Sequence, residues 1–544
     1  MKSGRKNSSR FDLNGDRAWH RSGNRRAGTA NYCEKFPTPN TCAGSGLDNG
    51  PGLQCVSLMN PENGPPGNPV PFSQSQDTLT LHGYKQELKR EIGWFSSFSM
   101  SFSIIAVTTG LFATYGAGLQ TAGPAFIWTW PIVGAGQLVL AVVFAKLARR
   151  IPLSGMAYQW TKELGGDSLG WWAGWLMIIQ VLTGLAAVCY ALASYTLPLF
   201  GIAASTAKIV LATAAILLSI AFINHLGVKI ASFVNDFMVL LQIVVILVVG
   251  IVLLFLAVEN KTNSFHFLFT HPGHPGGLAF LGPLAFSSLM AAWTITGFES
   301  AANLAEETKL PERRVPFAIV SSEIFSVVIG FIILLGFTLA IPSLDEATNN
   351  PAPFAYIMDH HFPHVFTNVV MGIILLEIYA CALANLTILG RVVWAMARDF
   401  QLPASSWFGK LSTRKVPANA IWFTAIVAAV FTWWAKFQIV IAGVSGLAAY
   451  ATYVMVVGSA LRNRPHKWQL SGDLSQTPIV PKHLGIVALI WLLVCLGALT
   501  LPSSAWINDK AILVGLALGL CIWLLKHKRR RIPKAQTKTS EAIP

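Results

Sequence analysis

Glu299 and Glu377 are the residues whose surroundings point most directly to chemistry. Each is a carboxyl inside a long apolar stretch, where an ionisable group is costly and by default functional. Around Glu299 the chain reads Ile295-Thr296-Gly297-Phe298-Glu299, and an earlier apolar stretch contains Thr108-Thr109-Gly110. Gly loses the most backbone freedom in a helix and Thr is β-branched, so both weaken helical structure. A helix interrupted within hydrocarbon frees N–H and C=O groups, which must be satisfied by protein, water or a bound molecule. The N–H groups that open a resumed half-helix favour a carboxylate, and freed carbonyls favour an ammonium. The expected chemistry is reversible binding of a zwitterion, with Glu299 and Glu377 as proton or coupling groups. No nucleophile–base pair or metal cluster suggests an enzyme.

Trp293 lies six residues before Glu299, and its indole face would cover an apolar stem or attract a cation. Asn385 follows Glu377 by eight residues, close to two helical turns, so both share a helix face. The candidate substrate-binding set is Thr108, Thr109, Gly110, Trp293, Ile295, Thr296, Gly297, Phe298 and Asn385. A second cluster, Glu306 and Glu307 with Arg149 and Arg391, is expected to form a gate of ion pairs at one membrane face. His266, His271 and His274 read as a solvated loop.

The elements that position these groups follow from composition. Of 544 residues, 53% are hydrophobic and 12% charged, with a mean hydropathy of +0.52. Soluble domains carry about 25% charged residues. The expectation is an all-α, polytopic integral membrane protein surrounded by lipid. Spans are expected near 95–119, 124–148, 170–197, 205–225, 233–257, 279–303, 316–341, 366–394, 418–434, 438–460, 484–502 and 508–526, twelve in all. Spans 1–5 and 6–10 read as two units of opposite orientation, which makes the two interruptions correspond. Paired interruptions of this kind mark the binding site of a membrane transporter.

The formal net charge of +15 sits largely in alternate loops. One set holds only Lys208, Lys261, Lys436 and Lys510, and the other holds groups such as Lys146, Arg149 and Arg150. This positive-inside pattern places both termini in the cytoplasm and argues against a nucleic-acid partner. Residues 1–83 form a polar tail rich in Gly, Pro, Asn and Ser, expected to be disordered, with Met59 as an alternative start. The twelve-span region runs over 84–530, followed by a short tail, 531–544, expected on the cytoplasmic side. The seven cysteines, three of them the tail residues Cys33, Cys42 and Cys55, show no metal or redox spacing. No phosphate-binding Gly-Lys-Ser/Thr loop is present, so neither ATP drive nor a cofactor is expected.

Two longer motifs carry a family resemblance. Gly297-Phe298-Glu299-Ser300-Ala301-Ala302, with Ala305-Glu306-Glu307-Thr308-Lys309-Leu310-Pro311, resembles the sixth-span signature of the amino acid–polyamine–organocation permeases. So does Gly390-Arg391-Val392-Val393-Trp394-Ala395-Met396-Ala397-Arg398-Asp399. Gly83–Arg90 and Ile151–Trp160 are similar to the amino acid/choline branch. The resemblance implies a five-plus-five inverted repeat (LeuT-like), discontinuous helices 1 and 6, and two extra C-terminal helices. It also implies transport of an amino acid or related amine, such as γ-aminobutyrate, by alternating access in the plasma or inner membrane. Relatives often have Gly-Ser-Gly where Thr108-Thr109-Gly110 stands, and some close a sixth-span Trp over the substrate, as Trp293 would. Proton-coupled relatives place a Lys where Gln242 falls, which leaves coupling through carboxylates, sodium or exchange open. A choline or polyamine permease and a non-transporting sensor are the rival readings.

Overall fold

The computed structural model describes residues 79–273, 276–350, 352–434, 438–462, 478–500 and 506–531. The expected N-terminal tail up to residue 78, with Met59 and its cysteines, lies outside the described residues. So do His274, Lys436 and the C-terminal segment 532–544.

The described chain is helical. Helices α1 (Trp94–Ile105) and α2 (Val107–Ala122) are the halves of the first interrupted stretch. They are followed by α3 (Thr129–Arg150), the short α4 (Met156–Gly165), α5 (Asp167–Leu199), α6 (Thr206–Leu226) and α7 (Val228–Glu259). The second interrupted stretch is α8 (Leu281–Thr294), continued by a 3-10 segment, Phe298–Glu307. Then come α9 (Pro311–Leu339), α10 (Leu344–Asn349), α11 (Pro353–His361) and the long α12 (His364–Arg398). The chain ends with α13 (Ser405–Phe408), α14 (Ala418–Trp434), α15 (Gln438–Arg462), α16 (Lys482–Thr500) and α17 (Trp506–Arg531). Among the described residues, 11 helical stretches are long and apolar enough to cross a membrane. The expected ninth span, Ala418–Trp433, is apolar but shorter than the ~20 residues a straight crossing needs.

Side-chain size decides which helices lie inside. The apolar stretch Trp94–Phe112, which covers α1 and the start of α2, is 83% buried, and Ile507–Lys526 of α17 only 11%. Helix α1 carries Ser97, Ser99, Ser101 and Ser103, all buried. Small hydroxyl residues let helices approach closely and bond across the contact. Ser96 Oγ donates to the Asp236 carboxylate of α7 at 2.5 Å, Ser99 Oγ donates to the same group, and Ser101 Oγ accepts the Ala301 N–H at 2.9 Å. Helix α17 instead exposes Leu513, Val514, Leu518 and Leu525, apolar surface suited to lipid. Around α1, α15 packs along α5, α3 along α9, and α12 against α5 and α7.

The first interruption differs from the expected one. The backbone breaks at Ala106, which is left-handed at φ 48°, and Thr108-Thr109-Gly110 already lie in the first turn of α2. Gly110 N–H donates to Ala106 C=O at 2.9 Å, an ordinary helical bond. Gly110 is needed here for close approach and not for unwinding: a Cβ on it would overlap the Thr294 side chain.

Candidate functional site

The two interruptions face each other. Ile295–Gly297 separates α8 from the 3-10 segment, and Gly297 has φ 93°, a conformation that favours glycine. A Cβ on Gly297 would strike Ile104 at the end of α1. Each break thus presses on the flank of the other helix, and both depend on a missing side chain. Gly297 N–H finds the Tyr453 hydroxyl of α15 at 3.3 Å. On the other side, the N–H groups that open α2 before Gly110 lie at a helix start, where intrahelical acceptors run out. Glu377 of α12 faces the N–H groups of Thr108 and Thr109 and the Thr109 hydroxyl. Neither Glu377 oxygen reaches hydrogen-bond geometry with a donor.

A cavity opens where the breaks meet. Thr109 and Gly110 line it from α2, Trp293 from α8, and Thr296, Gly297 and Glu299 from the second break. Asn385 lines it from α12, its Nδ2 bonded to Cys381 C=O at 2.9 Å. Helix α5 closes one wall with Met177, Gln180 and Val181, and α15 adds Ser445. Among the described lining residues none is basic, and Glu299 is the single carboxyl. The Glu299 carboxyl faces the Tyr453 hydroxyl and the Gly297 backbone, and its Oε2 meets no donor.

Three of the candidates lie away from the lining. Thr108 turns to α7, where Gln242 Nε2 donates to its Oγ1 at 3.1 Å. Phe298 packs into the core beside Phe144 and Tyr453, with ring centroids 5.9 Å and 6.1 Å away. Ile295 is fully buried and outside the lining. Thr108 lies on a different face from Thr109 in the resumed helix, and Ile295 and Phe298 flank the second break with their side chains turned into the core. Sequence reading also missed Glu323 on α9, which is buried with both carboxyl oxygens unpartnered and lies within electrostatic reach of Glu299. An isolated Glu within an apolar run was the available signal.

At the end of the bundle where the basic loops collect, Glu306, Glu307 and Arg391 come together. Arg391 grips Glu307 with two bonds of 2.9 Å and 3.1 Å, both side chains buried. Arg398 holds Glu306 in the same forked way at 2.8 Å and 3.0 Å, and Ser154 N–H adds a third donor to Glu306. Arg149, expected in this cluster, is exposed and forms none of the ion pairs among the described residues. Its position in the last turn of α3 turns it outward, and Arg398, at the end of α12, takes the inward place. The preceding segment ties in as well: Ile92 pairs with the backbone of Glu307 and Lys309, and Gln86 Nε2 donates to Glu306 C=O.

Beside these pairs, Asp399 accepts from Lys162 at 2.5 Å, Tyr158 at 2.6 Å and Tyr84 at 2.8 Å. Burial opposes the charge on Asp399, but Lys162 and the tyrosine hydroxyls outweigh it and hold the carboxyl below its ordinary value. Burial likewise opposes the charge on Lys162, and Asp399 outweighs it, so the ammonium is held above its ordinary value. A lowered carboxyl stabilises the fold above the ordinary value near 4 and loses that contribution as pH falls through its folded pKa. A raised ammonium stabilises below the ordinary value of about 10.4 and loses it as pH rises through its own folded pKa. Between roughly pH 5 and 9 the pair is therefore expected to be indifferent to pH. Thermal midpoints of wild type and the Lys162→Met/Asp399→Asn double variant should differ by a constant amount across that window. A difference that changes with pH inside it would contradict the assignment.

A helical membrane bundle with two interrupted helices meeting at a central cavity is the architecture of a transporter. The fold is similar to that of MhsT in a crystal structure with L-phenylalanine, with a TM-score of 0.53 at 12% identity, covering 74% of this chain and 98% of that one. The amino acid permease family model matches residues 92–534, and the chain belongs to that family. The amino-acid permease BAT1 of Arabidopsis thaliana is 29% identical over 390 residues, 66% of this chain and 75% of that protein. The branched-chain amino acid permease BcaP of Bacillus subtilis is 26% identical over 486 residues, 84% of this chain and 96% of its own length. The protein is thus an integral, multi-pass membrane permease of the amino acid class and not an enzyme.

Proposed function

We propose that this chain is a secondary active permease that carries an amino acid or a related amine, such as γ-aminobutyrate, by alternating access. The observation that carries the reading is the cavity at the meeting of the two breaks, with Gly110 packed against Thr294 and Gly297 against Ile104. Rocking of one unit against the other opens this point to alternate sides without dismantling it. Counting α14 as a crossing gives twelve spans, a five-plus-five inverted repeat with two additional helices, and both termini in the cytoplasm. Arg391–Glu307 and Arg398–Glu306 then form the cytoplasmic closure. The direct test is uptake into proteoliposomes of labelled amino acids, γ-aminobutyrate, choline and putrescine under imposed proton, sodium or trans-substrate gradients. Uptake of none of them would overturn the reading.

A cationic substrate such as choline or a polyamine is the second reading. It is favoured by the wall itself, where Trp293 and Glu299 meet no basic residue among the described lining.

Glu299 is the proposed coupling carboxyl, since it lines the cavity with one oxygen unpartnered. Glu299→Gln is expected to abolish the response of uptake to a pH jump while exchange of internal for external substrate persists. Retained pH dependence in the variant would exclude coupling through this residue.

A further inference from the structure

Besides the two breaks, the cavity has a polar corner where three other helices converge. Gly184 of α5, Asn385 of α12 and Ser445 of α15 all line it, and both polar side chains are buried. A Cβ on Gly184 would lie 3.0 Å from Ser445 Oγ and 3.9 Å from Asn385 Oδ1, so the missing side chain leaves a gap bordered by two oxygens. The donors of both side chains are already engaged. Asn385 Nδ2 donates to the Cys381 carbonyl at 2.9 Å and to its Sγ at 3.4 Å. Ser445 Oγ donates to the Gln180 carbonyl at 2.8 Å. What remains is acceptor capacity alone: the Asn385 carbonyl oxygen and the lone pairs of the Ser445 hydroxyl. Among the described residues no donor reaches either oxygen. Trp293 of α8 stands beside this corner, its Cδ1 3.4 Å from where a Cβ on Gly446 would lie.

We infer that this corner is the subsite for the far end of the substrate, and that Asn385 Oδ1 and Ser445 Oγ select a hydrogen-bond donor there: a hydroxyl, an amide N–H or an ammonium. This rests on the transport reading above and narrows its substrate class. A substrate that brings a donor satisfies both oxygens. An apolar substrate of the same shape covers them and leaves them unpaired, which is the costly case. Sites built in this way to bond a substrate O–H or N–H discriminate strongly against the analogue that lacks it. A carboxylate tip would add a further acceptor, and no basic side chain among the described lining residues offsets it. Gly184 supplies the room, since a side chain at that position would occupy the place of the donor. γ-Aminobutyrate meets the same condition with its carboxylate at a break, because its ammonium is then the far end.

The test is uptake into proteoliposomes of full-length protein, with labelled substrates in pairs of similar size: L-threonine against L-valine, L-glutamine against L-methionine, and L-lysine against L-norleucine. Wild type is expected to take the donor-bearing member at least roughly tenfold better in one pair or more. Asn385→Leu and Ser445→Ala each remove one acceptor. Each is expected to lower that ratio by roughly threefold or more, through loss of the donor-bearing member. A merely structural role would lower both members alike and leave the ratio fixed. A wild-type ratio below tenfold in every pair would overturn the inference and leave the transport reading standing. So would a ratio that either folded variant leaves unchanged. Should Asn385→Leu fail to fold, the wild-type ratios together with Ser445→Ala decide the question. Uptake of none of the six would also overturn the inference, and γ-aminobutyrate, choline and putrescine then show whether the transport reading falls with it.

Discussion

Arg391→Met is expected to destabilise the protein by about 3–5 kcal/mol, because it strands the Glu307 charge where no solvent reaches it. The guanidinium meets Glu307 through Nε and Nη2 and the Thr387 carbonyl through Nη1 at 3.0 Å, so its removal takes the guanidinium donors from both Glu307 oxygens, while the Thr387 carbonyl keeps its helical bond. Glu307→Gln alone should cost less, since an amide needs no counter-charge. The double variant Arg391→Met/Glu307→Met should recover much of the loss, because replacing both partners of a buried pair with apolar groups is often close to neutral. Thermal unfolding in detergent of the single and double variants checks this. Additive losses would mean that the two residues act separately. If the pair closes the cytoplasmic side, a stable double variant should also leak substrate in counterflow, and stability and leakage can be measured on the same preparation.

Gly297→Val is expected to cut uptake by on the order of 100-fold, the scale set by small misplacements in a site that works by orientation. Two causes act together. A β-branched residue at φ 93° bears the left-handed penalty of roughly 1–2 kcal/mol. Its Cβ would also meet Ile104, an overpacking that typically costs about 1–3 kcal/mol. The second break would then shift away from α1, taking Glu299 and the Tyr453 contact with it. Ile104→Ala relieves the overlap but not the backbone strain, so the combined variant should regain part of the lost uptake. Full uptake by Gly297→Val alone would show that the geometry of this break does not govern transport.

The second break was legible at Ile295–Gly297, because Gly297 needs positive φ and no other residue type adopts it as cheaply. The first was misplaced: Thr108-Thr109-Gly110 looks like a weak helix locally, yet the chain unwinds at Ala106 and is helical through the motif. A left-handed alanine carries no composition signal. It is held by the packing of α1 and α2 on other helices, and Gly110 was retained for the close approach of Thr294. Arg149 and Arg398 repeat the lesson for charge. Both stand near basic loop ends in sequence, and only the rotation of α3 and α12 at those ends decides which one turns inward to Glu306.

By itself the sequence determined the membrane character, the helical content, the permease family motifs and the presence of carboxyls in apolar surroundings, because each depends on local composition or on short spacing. Tertiary structure alone decided which carboxyl lines the cavity, which one faces the start of α2, and that Glu323 shares the interior with Glu299. The reason is geometric: a helix carries side chains all around its axis, so chemistry written into one stretch acquires direction only from the helices that pack against it.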